Sequence, residues 1–135
     1  MLQIEWSNKF SVGVSELDNQ HKHLLALLNQ LTIMSRKTID KQELFRMLNK
    51  FVKYAETHFS TEEGLMRQHR FPGLKEHAAE HVAFVVRIFA LAEKLEENEV
   101  NAAWELVDYM REWYLNHVLG TDREYIALFA QKGVQ

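Results

Sequence analysis

The chain has 135 residues and a mass of 15.9 kDa, and 47% of its residues are hydrophobic, which suffices for the core of one domain over residues 1–135. Five glycines and one proline are too few turn-forming residues for an all-β sandwich or a disordered chain, so the composition favours helices. The absence of cysteine excludes disulfide scaffolds, thiolate zinc sites, iron–sulfur clusters and cysteine nucleophiles. Any metal must therefore be bound by nitrogen and oxygen atoms.

The net charge is −3, and no basic block stands out that would follow a phosphate backbone, so nucleic acid is not an expected partner. The N-terminal residues lack the basic and apolar regions of a secretory signal. The longest apolar stretch, around residues 82–92, is interrupted by Arg87 and is too short to cross a bilayer. We therefore expect a cytoplasmic, soluble monomer with no membrane insertion.

Two helices are predicted in the first half of the chain. After an irregular N-terminal arm, Ser15 is expected to cap a helix over residues 15–35, in which leucines recur at helical spacing. Asp40 and Glu43 form a capping-box pattern before a second helix over about residues 41–67.

Two further helices and a short terminal one follow. Residues 70–73 include Pro72 and Gly73 and are the clearest turn in the chain, so a third helix is expected over about residues 74–95. Asn101 is positioned to cap a fourth helix, which Gly120 closes. A final amphipathic piece around residues 125–129 is expected to pack across one end of the other helices.

Four helices of about 20 residues each are about 30 Å long, and short links between them make consecutive helices antiparallel. The fold class predicted is therefore all-α, an up-down-up-down antiparallel four-helix bundle with an N-terminal arm and a short C-terminal helix. No internal repeat, low-complexity segment or linker indicates a second domain.

Most of the seven histidines fall on the apolar faces of these helices. Positions three, four or seven apart share a helix face, so His21 continues the leucine stripe of the first helix, whereas His23 points to solvent. A single histidine on such a face is usually a core residue with a hydrogen-bond partner. A whole set of imidazoles and carboxylates inside one small bundle, however, costs several kcal/mol for each uncompensated group unless a cation binds them. The inward-facing candidates are His21, His58, Glu62, His77, His81 and His117.

Asp122 is a further candidate ligand that a regular helix would not bring to the same face. It lies five residues after His117, an offset of about 140° on an α-helix, and Gly120 stands between them. We therefore expect the fourth helix to widen or break between residues 118 and 121, as helices do at functional sites. Asp18, the other inward-facing acid, is expected to serve in helix capping instead.

Seven nitrogen and oxygen ligands exceed what one tetrahedral zinc uses, and no HExxH pattern is present, so a mononuclear zinc hydrolase is disfavoured. The inventory indicates two metals, and imidazole with carboxylate suits iron or manganese. The paired ExxH motifs of ferritin-like di-iron proteins are absent. Around two octahedral irons that share a solvent-derived oxygen, these ligands leave one position open, which suits a small terminal ligand such as O2.

These residues resemble the hemerythrins, specifically the single-domain bacterial members. The resemblance spans nearly the whole chain, from the arm and the residues before His21 through HxxxE, HxxxH and HxxxxD motifs. It implies two irons joined by an oxo or hydroxo bridge, without haem. The implied ligands are His77, His81 and His117 on one iron, His21 and His58 on the other, and Glu62 and Asp122 between them.

The resemblance further implies reversible O2 binding at an open position on the two-histidine iron, for storage, transport or delivery, and not an enzyme. The O2 pocket it implies is lined by Phe59, Trp113, Leu115 and Val118. Two alternatives stay open: a di-iron oxidoreductase acting as an oxidase, a peroxidase or a nitric oxide reductase, and an oxygen or redox sensor that acts through a separate partner. An O2-consuming enzyme or an electron donor is the kind of protein partner expected.

Overall fold

The computed structural model describes residues 2–37 and 40–135, and within them the chain forms five α-helices and two short 3-10 helices. The α-helices are α1 (Ser15–Ser35), α2 (Lys41–Gln68), α3 (Leu74–Glu96), α4 (Ala102–Leu119) and α5 (Ile126–Gln131). The 3-10 helices are Asn8–Phe10 in the arm and Thr121–Tyr125 after α4. The predicted helix bounds are therefore confirmed to within one residue for α1 to α4.

The four long helices form the predicted bundle, in which α1 and α3 each pack against both α2 and α4. The arm contacts α4, and the 3-10 helix after α4 leads into α5 at the same end of the bundle. The all-α fold class is confirmed. Within the described part of the chain, none of the helices is both long enough and apolar enough to cross a lipid bilayer.

The prediction that Ser15 caps α1 is wrong. Val14 occupies the capping position in an extended conformation, and Ser15 is the first helical residue. Asp18 uses its carboxylate to fix the arm: it accepts hydrogen bonds from the Val12 N–H at 2.8 Å and from the Ser11 hydroxyl at 2.5 Å. These contacts tie the arm to the start of α1.

The cap of α2 is confirmed, since the Asp40 side chain accepts a hydrogen bond from the backbone N–H of Gln42. Glu43, the expected reciprocal partner, instead pairs with Arg46 one turn later. Asn101 occupies the capping position of α4 but adopts a left-handed conformation, with φ of 62°, and its side chain makes no capping hydrogen bond within the described residues. Asn101 therefore acts through its backbone, because asparagine tolerates positive φ.

Two apolar clusters fill the bundle. The larger cluster includes Leu28 of α1 and Phe84 of α3, and the smaller one, near the arm, includes Leu17 and Tyr125. On α1 the chain passes from Leu17 in the smaller cluster through His21 to the larger cluster. A polar layer, formed by the predicted site residues, thus lies between the two apolar clusters.

The break after α4 is as predicted, and it is a break, not a widening. The helix ends at Leu119, Gly120 has φ of −120° and ψ of −79°, and the chain continues as a 3-10 helix. A Cβ at Gly120 would stand 2.6 Å from the backbone oxygen of Asn116, so any side chain there would force the turn to shift. The tighter winding turns Asp122 into the bundle, where it is fully buried.

Candidate metal centre

The structure brings all seven predicted ligand residues into one buried layer. Each is at most 3% exposed, although ionisable side chains are seldom this buried without a partner. In every histidine of the set, Nε2 is the nitrogen that faces the carboxylate of Glu62 or Asp122. The layer draws on all four long helices and the following 3-10 helix: His21, His58, Glu62, His77, His81, His117 and Asp122.

Three histidines and one oxygen of each carboxylate form a first group. His77 Nε2 lies 2.8 Å from Glu62 Oε1 and 3.0 Å from Asp122 Oδ1. His81 Nε2 lies 3.0 Å from both Glu62 Oε1 and His117 Nε2, and His117 Nε2 lies 3.0 Å from Asp122 Oδ1. Neighbouring ligands of one octahedral ion, each about 2.1 Å from it, are about 3.0 Å apart. This group therefore has the spacing of a coordination shell.

Two histidines and the other carboxylate oxygens form a second, looser group. His21 Nε2 lies 3.1 Å from Asp122 Oδ2 and 3.7 Å from Glu62 Oε2, and His58 Nε2 lies 3.5 Å from Glu62 Oε2. Glu62 therefore turns Oε1 to the first group and Oε2 to the second, and Asp122 divides its two oxygens in the same way. Each group on its own has the residues and the proximity needed to hold a metal ion.

Three of the histidines have an outer hydrogen-bond partner on Nδ1, supplied by the preceding helix. His58 Nδ1 lies 2.6 Å from the amide oxygen of Gln20. His81 Nδ1 and His117 Nδ1 lie 2.7 Å and 2.9 Å from the carboxylates of Glu63 and Glu80. Because these partners present acceptor oxygens, we assign the ring proton to Nδ1, which leaves the Nε2 lone pair pointing inward as a ligand. Gln20 lies on α1, Glu63 on α2 and Glu80 on α3, so each partner comes from the helix before that of its histidine.

The polar atoms of the layer are not satisfied by one another. Within the described residues, both ring nitrogens of His21, Nδ1 of His77 and both oxygens of Asp122 are buried without a hydrogen-bond partner. His81 and His117 also face each other through Nε2, where both rings carry lone pairs if their protons lie on Nδ1. Each unsatisfied buried group costs about 1–3 kcal/mol. A cation inside the layer removes this cost for His21 Nε2 and for both oxygens of Asp122, so the residues fit a metal.

Without a metal, protons must balance the two buried carboxylates. Burial lowers the pKa of His21 and His77, but the carboxylates of Asp122 and Glu62 outweigh burial and raise each pKa to about 9. For His117 the same balance raises the pKa to about 10. Burial prevails at His58 and lowers its pKa. Burial opposes ionisation of the carboxyls too, yet the surrounding histidines keep the pKa of Glu62 and of Asp122 below its usual value.

Metal uptake at pH 7 is expected to release protons, because histidines with a pKa of about 9 to 10 are protonated before they bind a metal. The release should vanish, and the apparent affinity should stop rising, as the pH passes through about 9 to 10. The same protons stabilise the metal-free fold below about pH 6.5, and this stabilisation is lost as the pH rises through those pKa values. Calorimetric titration in buffers of different protonation enthalpy measures the release, and its absence at pH 7 would contradict this charge assignment.

Sequence reasoning missed Tyr125 and the three outer partners. The Tyr125 hydroxyl donates a hydrogen bond of 2.8 Å to Glu62 Oε2, and its ring is fully buried. Burial, Asp122 and Glu62 all raise the pKa of Tyr125 well above its usual value, so the hydroxyl keeps its proton. The available signal was position: Gln20, Glu63 and Glu80 each adjoin a predicted ligand in the chain.

The predicted pocket residues lie beside the layer, but mainly on the side of the first group. Phe59 stacks on the ring of His81 with centroids 3.8 Å apart, and Trp113 stacks on His117 at 4.2 Å. Phe59 also approaches the ring of His58, at 5.9 Å. Val118 is buried next to His117, whereas Leu115 is half-buried and packs against the larger apolar cluster. Their role as an O2 pocket stays a prediction.

The two remaining histidines lie outside the layer. His23 is exposed, as predicted, and stacks on Tyr54 with ring centroids 4.0 Å apart. His69 follows the last residue of α2 and packs edge-on against Phe129. Neither belongs to the two groups of potential ligands.

The chain is similar to known proteins over most of its length. Residues 12–129 match the family model described as the hemerythrin HHE cation binding domain. The chain is 26% identical to a bacteriohemerythrin of Clostridium acetobutylicum, covering 90% of this chain and 97% of the relative. It is 29% identical to a myohemerythrin of Theromyzon tessulatum, covering 90% and 89%.

Solved structures agree with this result. A crystal structure of wild-type hemerythrin superposes with a TM-score of 0.84 at 24% identity, covering 94% of this chain and 98% of that one. A leucine-to-tyrosine variant of hemerythrin gives the same TM-score at 26% identity, covering 95% and 98%. With the family model matching most of its length, this chain belongs to the hemerythrin family.

Proposed function

We propose that this protein binds O2 reversibly at a pair of non-haem irons held in the polar layer. His77, His81 and His117 would hold one iron and His21 and His58 the other, with Glu62 and Asp122 shared between them. The observation that carries the proposal is the division of each carboxylate, one oxygen toward each histidine group. A single metal would not require Glu62 and Asp122 each to direct one oxygen to either histidine group.

Bound at these positions, the irons would supply the electrons and the open coordination position that reversible O2 binding requires. The donor set suits iron, because imidazole and carboxylate are ligands that it prefers and the chain contains no cysteine. The second group offers fewer histidines than the first, which favours it as the side with the open position.

The residues around the layer limit the supply of protons and water, which would otherwise make O2 uptake irreversible. Phe59 and Trp113 cover His81 and His117 with aromatic rings. The Tyr125 hydroxyl is occupied by Glu62, and the Tyr114 hydroxyl donates to the backbone oxygen of His21 at 2.9 Å. Burial raises the pKa of both tyrosines, so neither is a ready proton donor. A carrier is therefore favoured over an oxidase, a peroxidase or a nitric oxide reductase.

The test is to reduce the iron-loaded protein without oxygen, add O2 and remove it again, following the charge-transfer absorption through several cycles. We expect the band to appear with O2 and to vanish under argon, with little loss from one cycle to the next. The exposed His23→Ala variant should cycle like the wild-type protein. Bleaching to the oxidised form with steady consumption of O2 or nitric oxide would contradict a carrier and favour the oxidoreductase.

A further inference from the structure

The outer hydrogen-bond partners of the ligand histidines differ between the two groups. In the first group, His81 and His117 each place Nδ1 against a carboxylate, that of Glu63 or Glu80. In the second group, His58 places Nδ1 against the neutral amide of Gln20. His21 in the second group and His77 in the first have no Nδ1 partner within the described residues. The outer negative charge therefore lies on one side of the layer.

An anionic partner on Nδ1 strengthens the ligand on the opposite side of the ring. A carboxylate that accepts the Nδ1 proton fixes the ring and increases the electron density at Nε2, and loss of such a partner typically costs about 10- to 100-fold in metal affinity. A neutral amide fixes the ring without adding charge. Glu62 and Asp122 serve both groups, so they do not distinguish one from the other.

The first group is also the more firmly positioned. The rings of His81 and Phe59 are nearly parallel, with an angle of 7° between them, and the rings of His117 and Trp113 differ by 12°. Its ligand atoms already stand 2.8–3.0 Å apart along most edges, whereas those of the second group stand 3.1–3.7 Å apart. Ligands held close to their bound positions lose less freedom when a metal enters.

We propose that Glu63 and Glu80 are positioning residues that make the two metal positions unequal. The position at His77, His81 and His117 binds a divalent transition metal more tightly and is filled first, and the position at His21 and His58 is filled second. This inference rests on the proposed pair of metals. Its consequence is that the second metal, on the side proposed to bind O2, is the one lost first when metal is scarce.

The test is anaerobic titration of the metal-free chain with Fe2+, and with Co2+ as a spectroscopic probe. We expect two affinity classes, and a crystal grown with one equivalent of Co2+ should give anomalous scattering mainly at the first group. The double variant Glu63→Gln, Glu80→Gln keeps size and an acceptor oxygen but removes both charges. It should weaken the tight class by about 10- to 100-fold and leave the weak class unchanged.

Gln20→Glu supplies the opposite change, because it places a carboxylate against His58 in the second group. It should tighten the weak class, whereas a purely structural role for these residues predicts no gain. Glu56→Gln, an exposed change on the same helix as Glu63, is the matched control and should leave both classes unchanged. Equal affinities in the wild-type chain, or unaltered classes in the double variant and in Gln20→Glu, would overturn the inference alone. Saturation at a single metal per chain would overturn the proposed pair itself.

Discussion

Replacing Glu62 with glutamine is expected to weaken metal binding at both positions. Glu62 is the only α2 carboxylate in the layer within the described residues, and it faces three histidines through Oε1 and two through Oε2. An amide of the same size presents its oxygen to one group and its NH2, which does not ligate, to the other. Affinity should fall by more than the ~100-fold that loss of an outer partner can cost.

The Glu62→Gln fold should survive, because glutamine keeps the volume and the Tyr125 hydroxyl retains an acceptor if the amide oxygen turns toward it. Metal content after loading and dialysis, measured by elemental analysis, should fall below one per chain, and the charge-transfer band should be absent. Helical circular dichroism checks that the bundle is intact. Glu56→Gln, exposed on the same helix, is the matched control. If the Glu62→Gln chain still bound two metals, Glu62 would not be a ligand of the centre.

Helix bounds followed from the sequence because apolar spacing and breakers act locally. The cap at Asp40 was predictable, since a short acidic side chain reaches the N–H two residues ahead. The start of α1 was not predictable, because Asp18 accepts hydrogen bonds from the arm and this pairing depends on where the arm packs. Glu43 likewise had two partners within reach, and it pairs with Arg46 instead of closing the capping box. Sequence reasoning thus fails where a polar side chain has competing partners.

The inward set was predictable for the same geometric reason, since positions four apart on a helix share a face. His23 follows the same rule, because it lies two residues after His21, on a different face of the helix, and is exposed to solvent. Asp122 needed the break at Gly120, and the glycine between His117 and the acid was the signal for it.

The histidine that each outer partner contacts could not be predicted from the partner's position in the chain. Glu63 adjoins Glu62 in the chain, yet its partner His81 lies on the next helix. The sequence of one helix does not specify how that helix is rotated relative to its neighbour. Tyr125 was predicted only to pack across one end of the bundle, and its bond to Glu62 depends on how the 3-10 helix docks. Contacts across helices therefore required the structure.

Replacing His58 with alanine is expected to remove one metal and leave the other. The second group would keep only His21 and the shared carboxylates, whereas the first group would keep all of its ligands. Truncation also leaves the Gln20 amide oxygen without the Nδ1–H that it accepts at 2.6 Å. Because the second group is the side proposed to carry the open position, O2 binding should be lost together with that metal. Metal content should fall to about half that of the wild-type chain, because one of the two ligand sets is lost.

Two comparisons make the His58→Ala result specific. His23→Ala, on the exposed side of α1, removes an imidazole that only stacks on Tyr54, so metal content and O2 cycling should match the wild-type protein. His81→Ala removes a ligand from the first group and should reverse the pattern, weakening the position next to Trp113 and Phe59. X-ray absorption on iron-loaded samples counts the imidazoles per iron, and the average should rise in His58→Ala because the metal that remains is the one with three histidines. If His58→Ala retained both metals and cycled with O2, or if His23→Ala lost metal equally, the division of the layer into two groups would be wrong.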